Sequence, residues 1–140
     1  LIFFDTSVFV ASILSSDPRH PACLARVAAA TKDDAGCAIH AVTEVYSVLT
    51  RIPPPSRLTP LDGLAVVDLI RSRFRVVSLT ATEHLDVIRS VANNGLSGGI
   101  VHDAIILECA FKAGATAIYT LNPKDFRRVR PQWASHILEP

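Results

Sequence analysis

Three observations predict an α/β fold, a three-layer sandwich around a central parallel sheet of four to five strands. First, short apolar segments alternate with helix-length segments along the chain, which implies right-handed βαβ crossovers and a parallel sheet covered on both faces. Second, the opening segment Leu1-Ile2-Phe3-Phe4 has no polar alternation, as befits a strand buried on both faces. Third, 140 residues that are 49% hydrophobic and 19% charged are enough for one core-rich domain, here expected to span 1–140, that buries roughly 70% of its unfolded surface.

After Phe4 come a carboxylate and two hydroxyls, Asp5-Thr6-Ser7, and the pattern turns helical through Val8, Phe9 and Ala11. Asp17-Pro18 punctuates the chain. An alanine-rich helix is predicted from Pro21 to Ala30, with Leu24, Val27 and Ala28 at helical spacing. A short second strand is expected over Ala38–Val42. Thr43-Glu44 then leads into Val45, Val48, Leu49 and Ile52, an i, i+3, i+4, i+7 stripe, which Pro53-Pro54-Pro55 stops. Thr59-Pro60 supplies a cap and a first-position proline for a helix to about Phe74. Arg75–Leu79 is the third strand. Thr80 and Glu83 have capping-box spacing for a helix through Ala92, with Gly95 as terminator. A helix from Ile100 to Ala113 closes at Gly114. Thr116–Leu121 is the fourth strand, and a basic loop leads to a fifth over Ala134–Leu138.

Composition limits the function classes. No apolar run approaches the roughly 20 residues that span a bilayer, so no membrane role is expected. Cys23, Cys37 and Cys109 lack metal or redox spacing and sit among small or apolar residues, which fits buried free thiols in a reducing cytoplasm. The five histidines, His20, His40, His84, His102 and His136, lack paired spacing, so no zinc site is expected; His102, beside Asp103, is expected to face outward. Net charge is only +1. Its distribution says more: Lys124, Arg127, Arg128 and Arg130 crowd one segment and Arg71, Arg73 and Arg75 another, each a solvated face unless an acidic catalytic centre lies near.

Such a centre is suggested by the acids that succeed the strands. Asp5 ends the first, where open α/β sheets bind ligands, although helix capping alone accounts for an Asp there. Glu44 borders the apolar stripe of its helix, with Arg51 as a partner two turns on. Residues i+3, i+4 and i+7 from Asp103 are Ile106, Leu107 and Ala110, so its carboxylate points along the buried side of its helix, which a first-turn dipole preference does not explain. Asn122 and Asp125 come after the fourth strand. If these acids converge they repel, each pair ~5 Å apart costing about 3 kcal/mol at an effective dielectric near 20. A divalent cation or shared protons would relieve this, and all-oxygen ligation suits Mg²⁺ or Mn²⁺.

Four segments in this order, Phe4-Asp5-Thr6-Ser7, Thr43-Glu44-Val45, Gly98-Gly99-x-x-x-Asp103-Ala104 and Thr120-Leu121-Asn122-Pro123-Lys124-Asp125-Phe126, resemble the PIN-domain ribonucleases, particularly the toxins of VapBC-type toxin–antitoxin pairs. The resemblance covers nearly the whole chain. It implies an Mg²⁺- or Mn²⁺-dependent endoribonuclease in which Asp5, Glu44 and Asp103 bind metal. Thr6 or Ser7 would hydrogen-bond the attacking water or a carboxylate, and Lys124, Arg127, Arg128 and Arg130 would carry the RNA backbone. Many relatives have a fourth Asp where this chain has Asn122, which offers a carbonyl oxygen but no charge; Asp125 is the candidate to take its place. The resemblance also implies a homodimer, for which Leu61, Leu64, Val67 and Leu69 supply an apolar stripe, and an antitoxin segment filling the acidic groove. Two readings stand beside it. A Mg²⁺-dependent phosphotransfer domain also uses a strand-end acid, but Ser7 stands where the haloacid-dehalogenase version wants a second Asp. In a non-catalytic α/β interaction module the acids only cap helices.

Overall fold

The computed structural model describes residues 1–140. Five short parallel strands form one sheet: β1 (Ile2–Phe4), β2 (Ala35–Ala38), β3 (Arg75–Val77), β4 (Ala117–Tyr119) and β5 (Ile137–Leu138), in the order β3-β2-β1-β4-β5. Seven α-helices surround it: α1 (Thr6–Ile13), α2 (His20–Ala29), α3 (Ile39–Arg51), α4 (Pro60–Arg73), α5 (Ala81–Asn93), α6 (Ile100–Lys112) and α7 (Pro123–Val129). A 3₁₀ helix, Pro131–His136, precedes β5.

Pleating of β1 divides the core. Phe4 joins Phe9, Phe74, Val45 and Leu49 under α1 to α4, while Phe3 joins Ile106, Leu107, Ile118 and Phe126 under α6 and α7. Two adjacent phenylalanines thus anchor opposite layers, which is why the strand carries no polar residue. Outside α6 lies α5, which contributes Val87 and Val91 to a third cluster with Ile100, Ala104 and Ile105. Helix ends behave as their residues dictate. The Thr80–Glu83 capping box is formed, the Thr59 hydroxyl accepts from the Asp62 amide, and Gly95 and Gly114 adopt positive φ of 68° and 69° just beyond α5 and α6, which glycine does at least cost.

Two expectations are corrected. The second strand is Ala35–Ala38, not Ala38–Val42, and Ile39 already begins α3. A Cβ on its Gly36 would meet the Phe3 ring at 3.0 Å, so that position takes no side chain; the branched residues that look strand-like, Ile39 and Val42, belong to a helix. The basic segment after β4 is helical, as α7 and the 3₁₀ turn, rather than a loop. Of the other basic run, Arg73 donates to the carbonyls of Ala28 and Ala30 at the end of α2, a favourable place for a cation.

The chain runs from central β1 outward through β2 to β3, then returns to β4 on the opposite side. The order therefore reverses between β1 and β4, and the crevice at their carboxyl ends is where such a sheet offers room for a ligand.

Candidate active site

Asp5 leaves β1 at that crevice and is 4% exposed. Its Oδ2 accepts from the Ser7 hydroxyl at 2.6 Å, the Thr120 hydroxyl at 2.8 Å and the Ser7 amide at 3.4 Å. It does cap α1, so the capping and site readings of this residue are compatible. Ser7 Oγ also accepts from the Leu121 amide at 2.9 Å, and Thr120 Oγ1 from the Asn122 amide at 3.0 Å. The ends of β1 and β4 are thereby stitched together through the Asp5 carboxylate. Burial raises its carboxyl above the ordinary range, against the opposing hydrogen bonds of Ser7 and Thr120.

Glu44 lies in the second turn of α3, and its Oε2 accepts from the Thr6 hydroxyl at 2.7 Å. Thr6, not Arg51, is its partner. Asp103 is half-buried in the first turn of α6, above the buried Ile106, Leu107 and Ala110. Its carboxyl is pushed up to about 7, first by burial, then by the charges of Asp5, Asp125 and Glu44. These acids therefore share one field. A cavity of about 310 Å³ is lined by Asp5, Thr6, Ser7, Glu44, Asp103 and Asn122, with Val10 and Val48 as its apolar wall.

Asp125 does not line that cavity. It accepts from the Asn122 amide nitrogen at 2.9 Å and pairs with Arg128 at 3.4 Å; the Asn122 hydrogen bond, then Arg128, holds its carboxyl below the usual range. Because a carboxylate only accepts, the Asn122 nitrogen must face Asp125, which leaves the amide oxygen for other partners. The four predicted RNA-binding cations are spread over α7 and its end. Lys124 is exposed and has no hydrogen-bond or ion-pair partner. Arg127 donates to the Ile137 carbonyl at 3.2 Å, Arg128 binds Asp125, and Arg130 pairs with Glu108 at 3.1 Å and lies 4.2 Å over the Phe111 ring.

Sequence reasoning assigns no role to Thr120, which is fully buried beneath Asp5, and it misses a histidine pair. His40 Nε2 and His102 Nδ1 lie 2.8 Å apart with their rings stacked at 5.0 Å, and both stand beside Glu44. The histidines lack paired spacing along the chain, as read from the sequence, but two helices bring His40 and His102 together beside Glu44 in a group that could hold a metal ion. Burial holds the His40 imidazole below its usual value, in opposition to the Glu44 charge. A strand placed over His40 also conceals its i, i+4 relation to Glu44, which only a helix makes a contact.

Oxygen donors from the end of β1, from α3 and from α6 line this one cavity, and the carboxyl of Asp103, standing at about 7, registers the repulsion among them; carboxylate oxygens are the donor type that suits a hard divalent cation.

The PIN domain family model matches residues 2–131. Ribonuclease VapC40 of Mycobacterium tuberculosis is 33% identical over 126 residues, covering 89% of this chain and 87% of that protein. The crystal structure of M. tuberculosis VapC20, a Sarcin-Ricin loop cleaving toxin, superposes with a TM-score of 0.73 at 21% identity, covering 89% of this chain and 92% of that one. The VapBC2 structure from Rickettsia felis, bound to a DNA fragment from their promoter, gives 0.66 at 16% identity over 100% and 99%. With a strand order that reverses above Asp5, acids delivered by three separate elements, and a match over almost its full length, the chain belongs to the PIN domain family.

Proposed function

We propose that this protein is a metal-dependent endoribonuclease that hydrolyses RNA phosphodiester bonds as the toxin of a toxin–antitoxin pair. The observation that carries the reading is the single cavity shared by Asp5, Glu44 and Asp103, with Asp103 displaced to about 7 by its surroundings. The ribonuclease relative supports the reaction class.

Asp5, Glu44 and Asp103 would hold Mg²⁺ or Mn²⁺, with the Asn122 oxygen as a neutral fourth donor. When bound, such a cation polarises the phosphodiester and lowers the pKa of an attacking water. The remaining groups position the acids. Ser7 and Thr120 fix the Asp5 carboxylate, and Thr6 fixes Glu44, so these hydroxyls serve the acids rather than the water. Val10 and Val48 keep one wall dry. Asp125 turns Asn122 toward the cavity and so acts as a positioning residue. Lys124, with exposed Arg127 and Arg128, receives the phosphate backbone, which makes affinity salt-dependent and largely sequence-neutral; Arg130 is committed to Glu108 and Phe111.

An antitoxin partner is supported by the likeness to a VapBC complex. A homodimer is supported by the exposure of Leu61 at 77%, Leu64 at 50% and Leu69 at 52% on α4, more apolar surface than the core requires. No helix is long and apolar enough to cross a membrane, and three buried free cysteines suit a reducing cytoplasm.

The test is cleavage of RNA by protein purified free of any inhibitor. Mg²⁺ or Mn²⁺ should support cutting, EDTA should abolish it, and Asp5→Asn should lower the rate by orders of magnitude. Undiminished cutting by Asp5→Asn overturns the reading. Divalent-cation binding without any RNA cleavage returns the phosphotransfer alternative.

A further inference from the structure

Glu44 faces two ways. Its Oε2 is held by Thr6 on the side of the acidic cavity, while Oε1 lies 3.8 Å from His40 Nε2. His40 Nε2 is in turn 2.8 Å from His102 Nδ1, and the three donor atoms all fall within 4.8 Å of one another. A tetrahedral zinc with bonds of 2.0–2.1 Å sets its donors about 3.3 Å apart. The observed separations straddle that value, so small side-chain rotations suffice to seat an ion. The supports come from different elements: His40 and Glu44 are one turn apart on α3, and His102 is brought by the first turn of α6. His40 is partly buried, whereas His102 is exposed.

We propose that His40, Glu44 and His102 form a transition-metal site, with Zn²⁺ as its ion, that competes with the acidic cavity for Glu44. Two imidazoles and one carboxylate, with a fourth position open to water, are a borderline-soft set that suits Zn²⁺; the oxygen-only cavity beside it suits Mg²⁺ or Mn²⁺. The Thr6 hydroxyl bonds the Glu44 oxygen that the zinc does not need, and so orients the other toward the histidines. Zinc drawn to Oε1 withdraws negative charge that Glu44 lends the acidic cavity through Oε2, and a second divalent charge beside that cavity opposes the first. Zn²⁺ at this site therefore antagonises the Mg²⁺-dependent reaction. The existence of the site is independent of the proposed nuclease activity; only the antagonism rests on it.

The experiment titrates metal-stripped protein with Zn²⁺ against a chromophoric zinc chelator and repeats the titration with His102→Ala, His40→Ala/His102→Ala and Asp5→Asn. One zinc per chain is expected for the wild type. Affinity should fall at least 10-fold in both histidine variants and change less than threefold in Asp5→Asn. Because His102 is exposed, its single replacement keeps the result interpretable if the double variant unfolds. Zinc binding at full strength without the histidines, or its loss with Asp5→Asn alone, overturns the site. In a second arm, micromolar Zn²⁺ should suppress Mg²⁺-dependent RNA cleavage by wild type but not by His102→Ala, whose rate without zinc should stay within twofold. Equal suppression of both proteins overturns the competition for Glu44. Histidine-dependent zinc binding in a protein that cuts no RNA keeps the site and retires the nuclease reading.

Discussion

Asp103 and Asp125 occupy the same local position, the first turn of a helix, yet their carboxyls are driven in opposite directions. Asp103 stands at about 7 through burial and the charges of Asp5, Asp125 and Glu44; Asp125 is held below its ordinary range by the Asn122 amide and Arg128. The helix dipole favours the charged form of both and contributes only ~0.3–1 kcal/mol. The difference lies in neighbours. Around Asp103 the charges are alike, and nothing in the protein offsets them; around Asp125 they are matched locally. In the proposed function the uncompensated acid is the one that holds a cation, and the compensated one anchors the turn.

The largest expected effect tests this contrast directly. Asp103→Asn should lower metal-dependent RNA cleavage by more than about 100-fold, because it removes a ligand charge, whereas Asp125→Asn should lower it by less than about 10-fold, by loosening Asn122. Equal losses in a single-turnover cleavage assay break the contrast.

Stability should move the other way. In the unfolded chain Asp103 titrates near 3.8, against about 7 in the fold. A raised carboxyl pKa means that metal-free stability is full below about pH 4, declines as pH rises to 7, and levels off above. Asp103→Asn removes that decline, so in EDTA at pH 8 the variant should melt several degrees or more above wild type, and the gap should close toward pH 4. Mg²⁺ should raise the wild-type midpoint more than that of the variant. Asp125, with its lowered pKa, contributes in the opposite sense: its contribution is present above about pH 4 and is lost as the carboxylate protonates below. Asp125→Asn should therefore melt lower at pH 8. Calorimetric melts of the three proteins between pH 4 and 8 separate these outcomes.

The smallest effect sharpens the role of the residue between them. Asn122→Asp places a charge on the cavity rim facing Asp125, so it should tighten Mn²⁺ binding by severalfold while lowering the melting midpoint without metal. Calorimetric Mn²⁺ affinities indifferent to the change would mean that the last motif serves structure only.

Much of this is legible in the residues alone. Leu1–Phe4 without polar alternation, Thr80 with Glu83, and the apolar positions after Asp103 each carry a local physical requirement: burial on both faces, a satisfied helix end, a face turned inward. Such requirements act over a few residues and leave a record in composition and period. The second strand, Ala35-Gly36-Cys37-Ala38, has no branched or aromatic residue to mark it, and its Gly36 answers to the Phe3 ring on the neighbouring strand. Thr120 under Asp5, Asn122 turned by Asp125, and His40 against His102 across 62 positions likewise depend on partners far along the chain or on the path of a turn. The sequence by itself thus determined the sandwich and named the acids at its strand ends. Tertiary packing alone decided which charges are left uncompensated, since desolvation and Coulomb interaction depend on distance in space and not on separation along the chain.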